Sequence, residues 1–302
     1  MTALAAPTPA VPMQAAFKTP RLPVLVFTDL DGTLLDHDDY SFSAALPALK
    51  RLKQLAVPLI PTTSKTLAEV AELNQQRLDN PHPCILENGS ALCLPPGYFG
   101  ADDQAPVDTE LGYQVLRLVP DYAEVLASLH RIRSTQGLQF RGFHDMSVDE
   151  IASDTGLAIA DAARAKQRLC SEPLIWRDSD DALALFRRHL DDAGLTLTRG
   201  GRYWHVMGRT DKAQAMARLC ALYRQAGFEH FTTIALGDSP NDAAMLAAAD
   251  IAVIVRRKDG SWLQGRGRQQ TIKTEATGPA GWNAAMLQLL DRLSQQHPSA
   301  GN

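Results

Sequence analysis

No stretch of the 302-residue chain approaches the roughly 20 uninterrupted apolar residues that a membrane-spanning helix requires. The richest runs, such as Ile251 to Val255, have the length of buried strands, so no partnership with a membrane is expected. Cysteine is scarce as well. Cys84, Cys93, Cys170 and Cys220 include no CxxC pair and have no histidine cluster near them, which excludes a structural zinc site and a disulfide framework and points to the cytoplasm. There is no excess of positive charge: 30 basic residues face 34 acidic ones, for a net charge of −4. A surface built to neutralise nucleic-acid phosphates is therefore not expected, although a mildly acidic protein can still hold a local cationic pocket. The first 23 residues contain five prolines but no basic segment leading into an apolar core, the pattern of a secretory signal. Residues 1–21 are expected to form a disordered tail. No internal repeat is visible.

What remains is an ordinary globular composition, 45% hydrophobic and 21% charged, in a chain long enough for one large domain or two at roughly 100–200 residues each. The apolar run from Leu22 to Phe27 reads as a buried strand ending at Thr28 and Asp29. Ala45, Leu46, Leu49, Leu52 and Leu55 follow at helical spacing, with Pro47 tolerable only in a first turn. Val57 to Ile60 reads as a second strand, leading through Thr62, Thr63, Ser64, Lys65 and Thr66 into another helix. Pro83 to Leu86 reads as a third, ending at Glu87-Asn88-Gly89. Strand and helix in alternation imply right-handed crossovers and a parallel sheet, with ligands gathered at the strand carboxyl ends. From about residue 108 the pattern changes to α+β, with a capping box at Ser147 to Glu150 and two strands flanking Gly200-Gly201. Alternation resumes near Asp211, with strands at Thr232 to Leu236 and Ile251 to Val255 and a last helix over about 280–294. The expected division is thus a core at 22–107 and 208–302 around an insert at 108–207.

Asp29-Leu30-Asp31-Gly32-Thr33 sets two carboxylates two residues apart after a buried strand, so that both face one side while Gly32 allows a tight turn. That pattern suits a metal-binding pair in which one carboxylate attacks an electrophile and the other moves protons; it would also suit a polar turn whose aspartates cap loop amides. Gly237-Asp238-Ser239-Pro240-Asn241-Asp242 adds hard oxygen donors of the kind Mg²⁺ prefers, and doubles as a helix start. Thr62, Thr63 and Ser64 precede a helix, where hydroxyl and N–H donors receive phosphate oxygens, or merely cap it. Lys212, also at a helix start, gains meaning only as a fourth partner. His144 and His205 fit no motif and read as structural.

The order DxDGT, hydroxyl cluster, lysine, GDxxND resembles the haloacid dehalogenase superfamily of Asp-based phosphohydrolases, in particular its members with a large cap inserted between the second and third motifs. Within it, the run Phe27 to His37, Thr63-Ser64-Lys65-Thr66, Glu87-Asn88-Gly89, Arg141-Gly142-Phe143 and Gly201-Arg202 resembles the mannosyl-3-phosphoglycerate phosphatase family. The resemblance, spanning about residues 22–295, implies an α/β fold, a Rossmann-like parallel-sheet core with an inserted α+β cap. It implies Mg²⁺ as cofactor, held by Asp29, Asp31 and Asp238, the second of these also through its backbone carbonyl, with Asp242 in support. It makes Asp29 the nucleophile, Asp31 the acid and base, Thr63 the second-motif hydroxyl with Ser64 the fallback, and Lys212 the charge-balancing cation.

The implied substrate is mannosyl-3-phosphoglycerate, hydrolysed to phosphate and mannosylglycerate, a compatible solute whose phosphorylated precursor a synthase would supply. Such a molecule carries a phosphate, a carboxylate and a sugar. Its expected contacts are Ser64, Lys65, Glu87, Asn88, Arg141, Asp145, Ser147, Arg202 and Asn241, with Arg141 and Arg202 candidates for the carboxylate. The rival readings are the glucosyl counterpart, a broad sugar-phosphate phosphatase, a phosphomutase, and a non-catalytic Mg²⁺-binding module that responds to phosphorylation.

Overall fold

The computed structural model of the chain describes residues 17, 19–100, 108–200 and 202–296. Most of the expected tail at residues 1–21, and part of the connector before residue 108, lie outside them.

Five parallel strands form the central sheet: β1 (Val24–Thr28), β2 (Leu59–Pro61), β11 (Thr232–Gly237), β12 (Ile251–Arg256) and β13 (Gln270–Thr277), in the order β13-β12-β11-β1-β2. The apolar runs are continuous because both faces of the sheet are covered, and successive residues alternate between two cores. Val24 and Val26 join Ile234, Leu236, Val253 and Val255 on one face, against helices α1 (Leu46–Leu55), α2 (Leu67–Leu73) and α9 (Gly278–Gln296). Leu25, Phe27, Ala235, Ala252 and Ile254 join the other, against α7 (Lys212–Gln225) and α8 (Ala243–Ala248). The chain leaves β1 towards β2 on one side and runs from β11 to β13 on the other, so the order reverses between the adjacent strands β1 and β11. Crevices at such a reversal are where open α/β sheets bind ligands.

The expected third strand departs from the reading of it as part of this sheet. β3 (Cys84–Leu86) pairs antiparallel with β4 (Ala91–Leu94) in a second sheet, β3-β4-β6-β5, completed by β5 (Asp108–Glu110) and β6 (Tyr113–Arg117). It stays tied to the core through a parallel bridge between Thr62 and Ile85. The expected boundary between residues 107 and 108 crosses this sheet, and we propose that the inserted unit begins after β6 instead. That unit holds an antiparallel sheet β7-β8-β10-β9, made of β7 (Phe140–Gly142), β8 (Ser171–Trp176), β9 (Leu195–Arg199) and β10 (Trp204–Gly208). Helices α3 (Tyr122–Gln136) and α6 (Asp180–Asp192) share a core with it through Val125, Leu129, Phe186, Leu190 and Val206. The short helices α4 (Val148–Thr155) and α5 (Ile159–Ala165) pack around Phe143, Met146, Ile151 and Ala162. Ser147 and Glu150 form the capping box that starts α4.

The segments leaving and re-entering the core approach each other closely at one point. Gly208 lies so close to Val119 that a Cβ would sit 2.5 Å from the valine Cβ. Gly89, at φ +98°, approaches Asp211 so closely that a Cβ would meet its carbonyl oxygen at 2.3 Å.

Candidate active site

Three strand-end turns and the start of α7 converge at the sheet reversal. After β1, Asp29 donates its N–H to Leu236 O at 2.9 Å, which ties the Asp29 turn to the neighbouring strand. The turn closes through Gly32 N to Leu35 O (2.9 Å) and Thr33 N to Leu30 O (3.1 Å), with Gly32 at φ +79°. Only a residue without Cβ fits easily there, since a Cβ would crowd Asp238 Oδ2 at 3.2 Å. Thr33 Oγ1 donates to Asp238 Oδ1 at 3.0 Å, so the two turns brace each other.

Lys212 is fully buried, and its Nζ donates to Asp29 Oδ1 and Asp242 Oδ1, both at 2.7 Å. Burial acts to lower the lysine pKa, but Asp242 and Asp29 outweigh it and the pKa is raised. Asp242 is committed on both sides, because Oδ2 accepts from Asp238 N (3.1 Å) and Ser239 N (3.0 Å). Burial, with Asp242, Asp238 and Asp31 nearby, raises the Asp29 pKa against the pull of Lys212. Burial and then Asp242 push Asp238 up to about 6. Carboxylates so disposed favour a cation among them, since each is held in its charged form only against desolvation and mutual repulsion.

Oxygens of Asp29, Asp238 and Asp242 lie within 4.8 Å of one another. Asp242 is spent on Lys212 and the turn, whereas Asp29 Oδ2 and Asp238 Oδ2 accept no hydrogen bond among the described residues. Those all-oxygen donors fit a hard divalent cation such as Mg²⁺, which takes one or two carboxylates and completes its shell elsewhere. Asp31 stands apart from this triad. Its Oδ1 lies 3.1 Å from Lys65 Nζ, an ion pair outside hydrogen-bond geometry.

A cavity of about 240 Å³ opens over these groups. Of the expected residues it is lined by Asp29, Asp31, Ser64, Lys65, Arg202, Asp238 and Asn241. Thr63 is buried behind it, its Oγ1 accepting from Lys65 N at 3.2 Å. Asn88 is reached through Asn241, whose Nδ2 donates to Asn88 Oδ1 at 2.9 Å. Four expected contacts are instead used elsewhere. Arg141 pairs with Glu150 at 2.6 Å, Asp145 with Arg133 at 2.6 Å, and Ser147 caps α4. Glu87 is wholly buried, accepting from Leu169 N (2.6 Å), Cys170 N (3.0 Å) and Ser171 Oγ (2.7 Å). In each case a neighbouring group engages the side chain, and none of the four lines the cavity.

The lining also holds residues that no motif marked: Tyr40, Glu69, Arg168, Tyr203 and His205. Glu69 belongs to the capping box of α2 with Thr66, a pattern visible in the sequence. His205, expected to be structural, lines the cavity, but burial and then Arg168 hold its pKa down to about 3, so it is neutral.

Comparison with known proteins places this geometry. The family model for haloacid dehalogenase-like hydrolases matches residues 26–96 and 177–261. The chain is 40% identical over 269 residues to a glucosyl-3-phosphoglycerate/mannosyl-3-phosphoglycerate phosphatase of Methanococcoides burtonii, covering 89% of this chain and 97% of that one. It is 36% identical over 273 residues to a protein of the same description from Persephonella marina, covering 90% and 99%. In fold it is similar to a haloalkanoate-superfamily phosphatase from Bacteroides thetaiotaomicron, with a TM-score of 0.58 at 16% identity over 93% of this chain and 98% of that one. The chain belongs to the haloacid dehalogenase-like hydrolases.

Proposed function

We propose that this haloacid dehalogenase-like hydrolase, a hydrolase of phosphoric monoesters, removes phosphate from a 3-phosphoglycerate bearing a sugar, mannosyl or glucosyl. The observation that carries the reading is the Asp29–Lys212–Asp242–Asp238 array beneath a cavity partly walled by cations of the inserted unit. The substrate is supported by the two relatives described above, which match over nearly their whole lengths. Among the described residues no helix is long and apolar enough to cross a membrane. The four free, buried cysteines suit a reducing compartment, so we place the enzyme in the cytoplasm.

Asp29, held by Lys212, would attack phosphorus in line with the ester oxygen. The P–O bond to the substrate alkoxide breaks as the bond to the Asp29 carboxylate forms, and Asp31 gives the alkoxide its proton. Asp31 then takes a proton from water, which attacks the aspartyl phosphate and releases inorganic phosphate with Asp29 restored. Two carboxylates are needed because the first is covalently occupied when the second must act. Ser64 and Lys65, with Thr63 orienting their turn, would receive the remaining phosphoryl oxygens. Mg²⁺, held by Asp29, Asp238 and the Asp31 carbonyl, would offset the repulsion between a carboxylate and a phosphate dianion.

The test is phosphate release with Mg²⁺ from mannosyl-3-phosphoglycerate, glucosyl-3-phosphoglycerate, 3-phosphoglycerate and hexose phosphates. Strong preference for the first two is expected; equal rates on all would refute the substrate assignment. Release of free phosphate, followed by phosphorus NMR, separates hydrolysis from mutase action.

A further inference from the structure

Arg168 is a cavity-lining cation left without a role by the motifs. Its side chain is only 3% exposed, and two of its three guanidinium nitrogens are engaged. Nε donates to Ser171 O at 3.2 Å, and Nη2 to Ser171 Oγ at 2.6 Å and Ser64 O at 3.1 Å. Nη1 makes no hydrogen bond among the described residues. Ser64 belongs to the core turn and Ser171 to the inserted sheet, so the guanidinium plane is fixed across the seam between the two units.

Beneath it lies Glu87. The three donors at 3.0 Å or less from Leu169, Cys170 and Ser171 absorb most of its acceptor capacity, while Arg168 Nη2 stands farther off at 3.6 Å. Glu87 therefore clamps residues 169–171 and, through the shared Ser171 hydroxyl, sets the plane of Arg168. It does so from an unusual backbone conformation, with φ +50° at Glu87 and +60° at Asn88. Such strain persists only where surrounding contacts over-determine it.

The other basic groups on that wall are less suited to an anion. His205 is neutral, and Arg202 is exposed with Nη1 occupied by the carbonyls of Asp154 (3.0 Å) and Thr155 (2.7 Å). Among the described residues, Arg168 alone on that wall combines burial, a fixed plane and a spare nitrogen, the conditions under which a charged hydrogen bond is strong and selective.

We propose that Arg168 anchors the substrate carboxylate, the anionic group that does not react, and that Glu87 is the positioning residue that presents it. This deepens the glycosyl-3-phosphoglycerate reading and rests on it. The test compares kcat and KM of the full-length enzyme with Mg²⁺ on glucosyl-3-phosphoglycerate and on the analogue whose carboxylate is reduced to the alcohol. The wild type should prefer the acid by about 10- to 100-fold in kcat/KM. Arg168→Met should bring that ratio close to one, chiefly by raising KM for the acid, and Arg168→Lys should keep part of it. Glu87→Gln should lower the ratio in the same direction; if it does not fold, Ser171→Ala breaks the same link. A ratio that stays at the wild-type value while Arg168→Met slows both compounds alike would overturn the proposal and leave Arg168 a structural residue. A wild type that hydrolyses neither glycosyl compound but does cleave other sugar phosphates would instead overturn the substrate reading beneath it.

Discussion

Replacing Lys212 by methionine removes the cation that holds Asp29 and Asp242 together in a fully buried position. At 2.7 Å, each contact is an attraction of about 6 kcal/mol for an effective dielectric of about 20. Desolvation of the ions cancels much of that, and losing one partner of a buried pair typically costs about 3–5 kcal/mol. Two carboxylates are stranded here rather than one, so the upper end applies. At roughly 2–4 °C per kcal/mol for a chain of this size, Tm should fall by about 10–20 °C in metal-free buffer. The stranded carboxylates respond by holding protons. The folded pKa of Asp29, already raised by burial, loses the opposing pull of Lys212 and rises further above the unfolded value, so the variant keeps more stability in acid and loses it as pH increases. Scanning calorimetry at pH 5.5 and 7.5 with a chelator reads both effects. Added Mg²⁺ should return part of the loss, about 2.7 kcal/mol at 100 times its Kd, while turnover stays at least about 100-fold down. A Tm within about 2 °C of wild type at pH 7.5 would show that Asp29 and Asp242 do not depend on this lysine.

Asp29→Asn should abolish phosphate release, by more than about 1,000-fold, while its far-UV circular dichroism stays that of wild type; substantial turnover by the purified variant would remove Asp29 as nucleophile. Glu172 is 1% exposed, and burial pushes its pKa up to about 7 despite donors from Tyr122 (2.6 Å) and His144 N (2.8 Å). Because the folded value lies above the unfolded one, its stability contribution is complete below about pH 4.5 and is lost as pH rises through about 7, by about 3 kcal/mol. Urea titrations at pH 5 and 8 should show that slope in the wild type and a flatter one in Glu172→Gln. Gly89→Ala forces a Cβ to 2.3 Å from the Asp211 carbonyl at a left-handed φ; a loss of more than about 3 kcal/mol in urea is expected, and a near-neutral result would mean the close approach to α7 relaxes freely.

The parts of the site that were legible in the sequence are those carried by single turns. Asp29 and Asp31, or Asp238 and Asp242, sit on one loop after one apolar strand, so spacing along the chain already places them. Lys212 needed the order of motifs, because its position opposite Asp29 is created by packing of α7. Arg168 and His205 carried no local signal: only docking of the inserted unit on the core brings Arg168 to Ser64 O. Arg141, Asp145 and Ser147 lie outside the cavity lining and are engaged by their local partners Glu150 and Arg133, which sequence spacing does not reveal. Of the strands, β13 escaped notice because it is an edge strand, largely exposed and with Ile272 its only large apolar residue.

The close passage of Gly208 beside Val119 has an evolutionary corollary. An insertion whose two ends touch closes a loop at the same point whatever it contains, and loop-closure entropy grows so slowly that doubling its length costs only about 0.6 kcal/mol. The distance between the Asp29 and Asp238 turns is then set within the core, by the pairing of β1 with β11, the Thr33–Asp238 hydrogen bond and the Lys212 bridge. Recognition can be exchanged wholesale at that junction while the chemistry beneath it keeps its geometry. A graft of a foreign cap at Val119 and Gly208 is the natural place to separate the two.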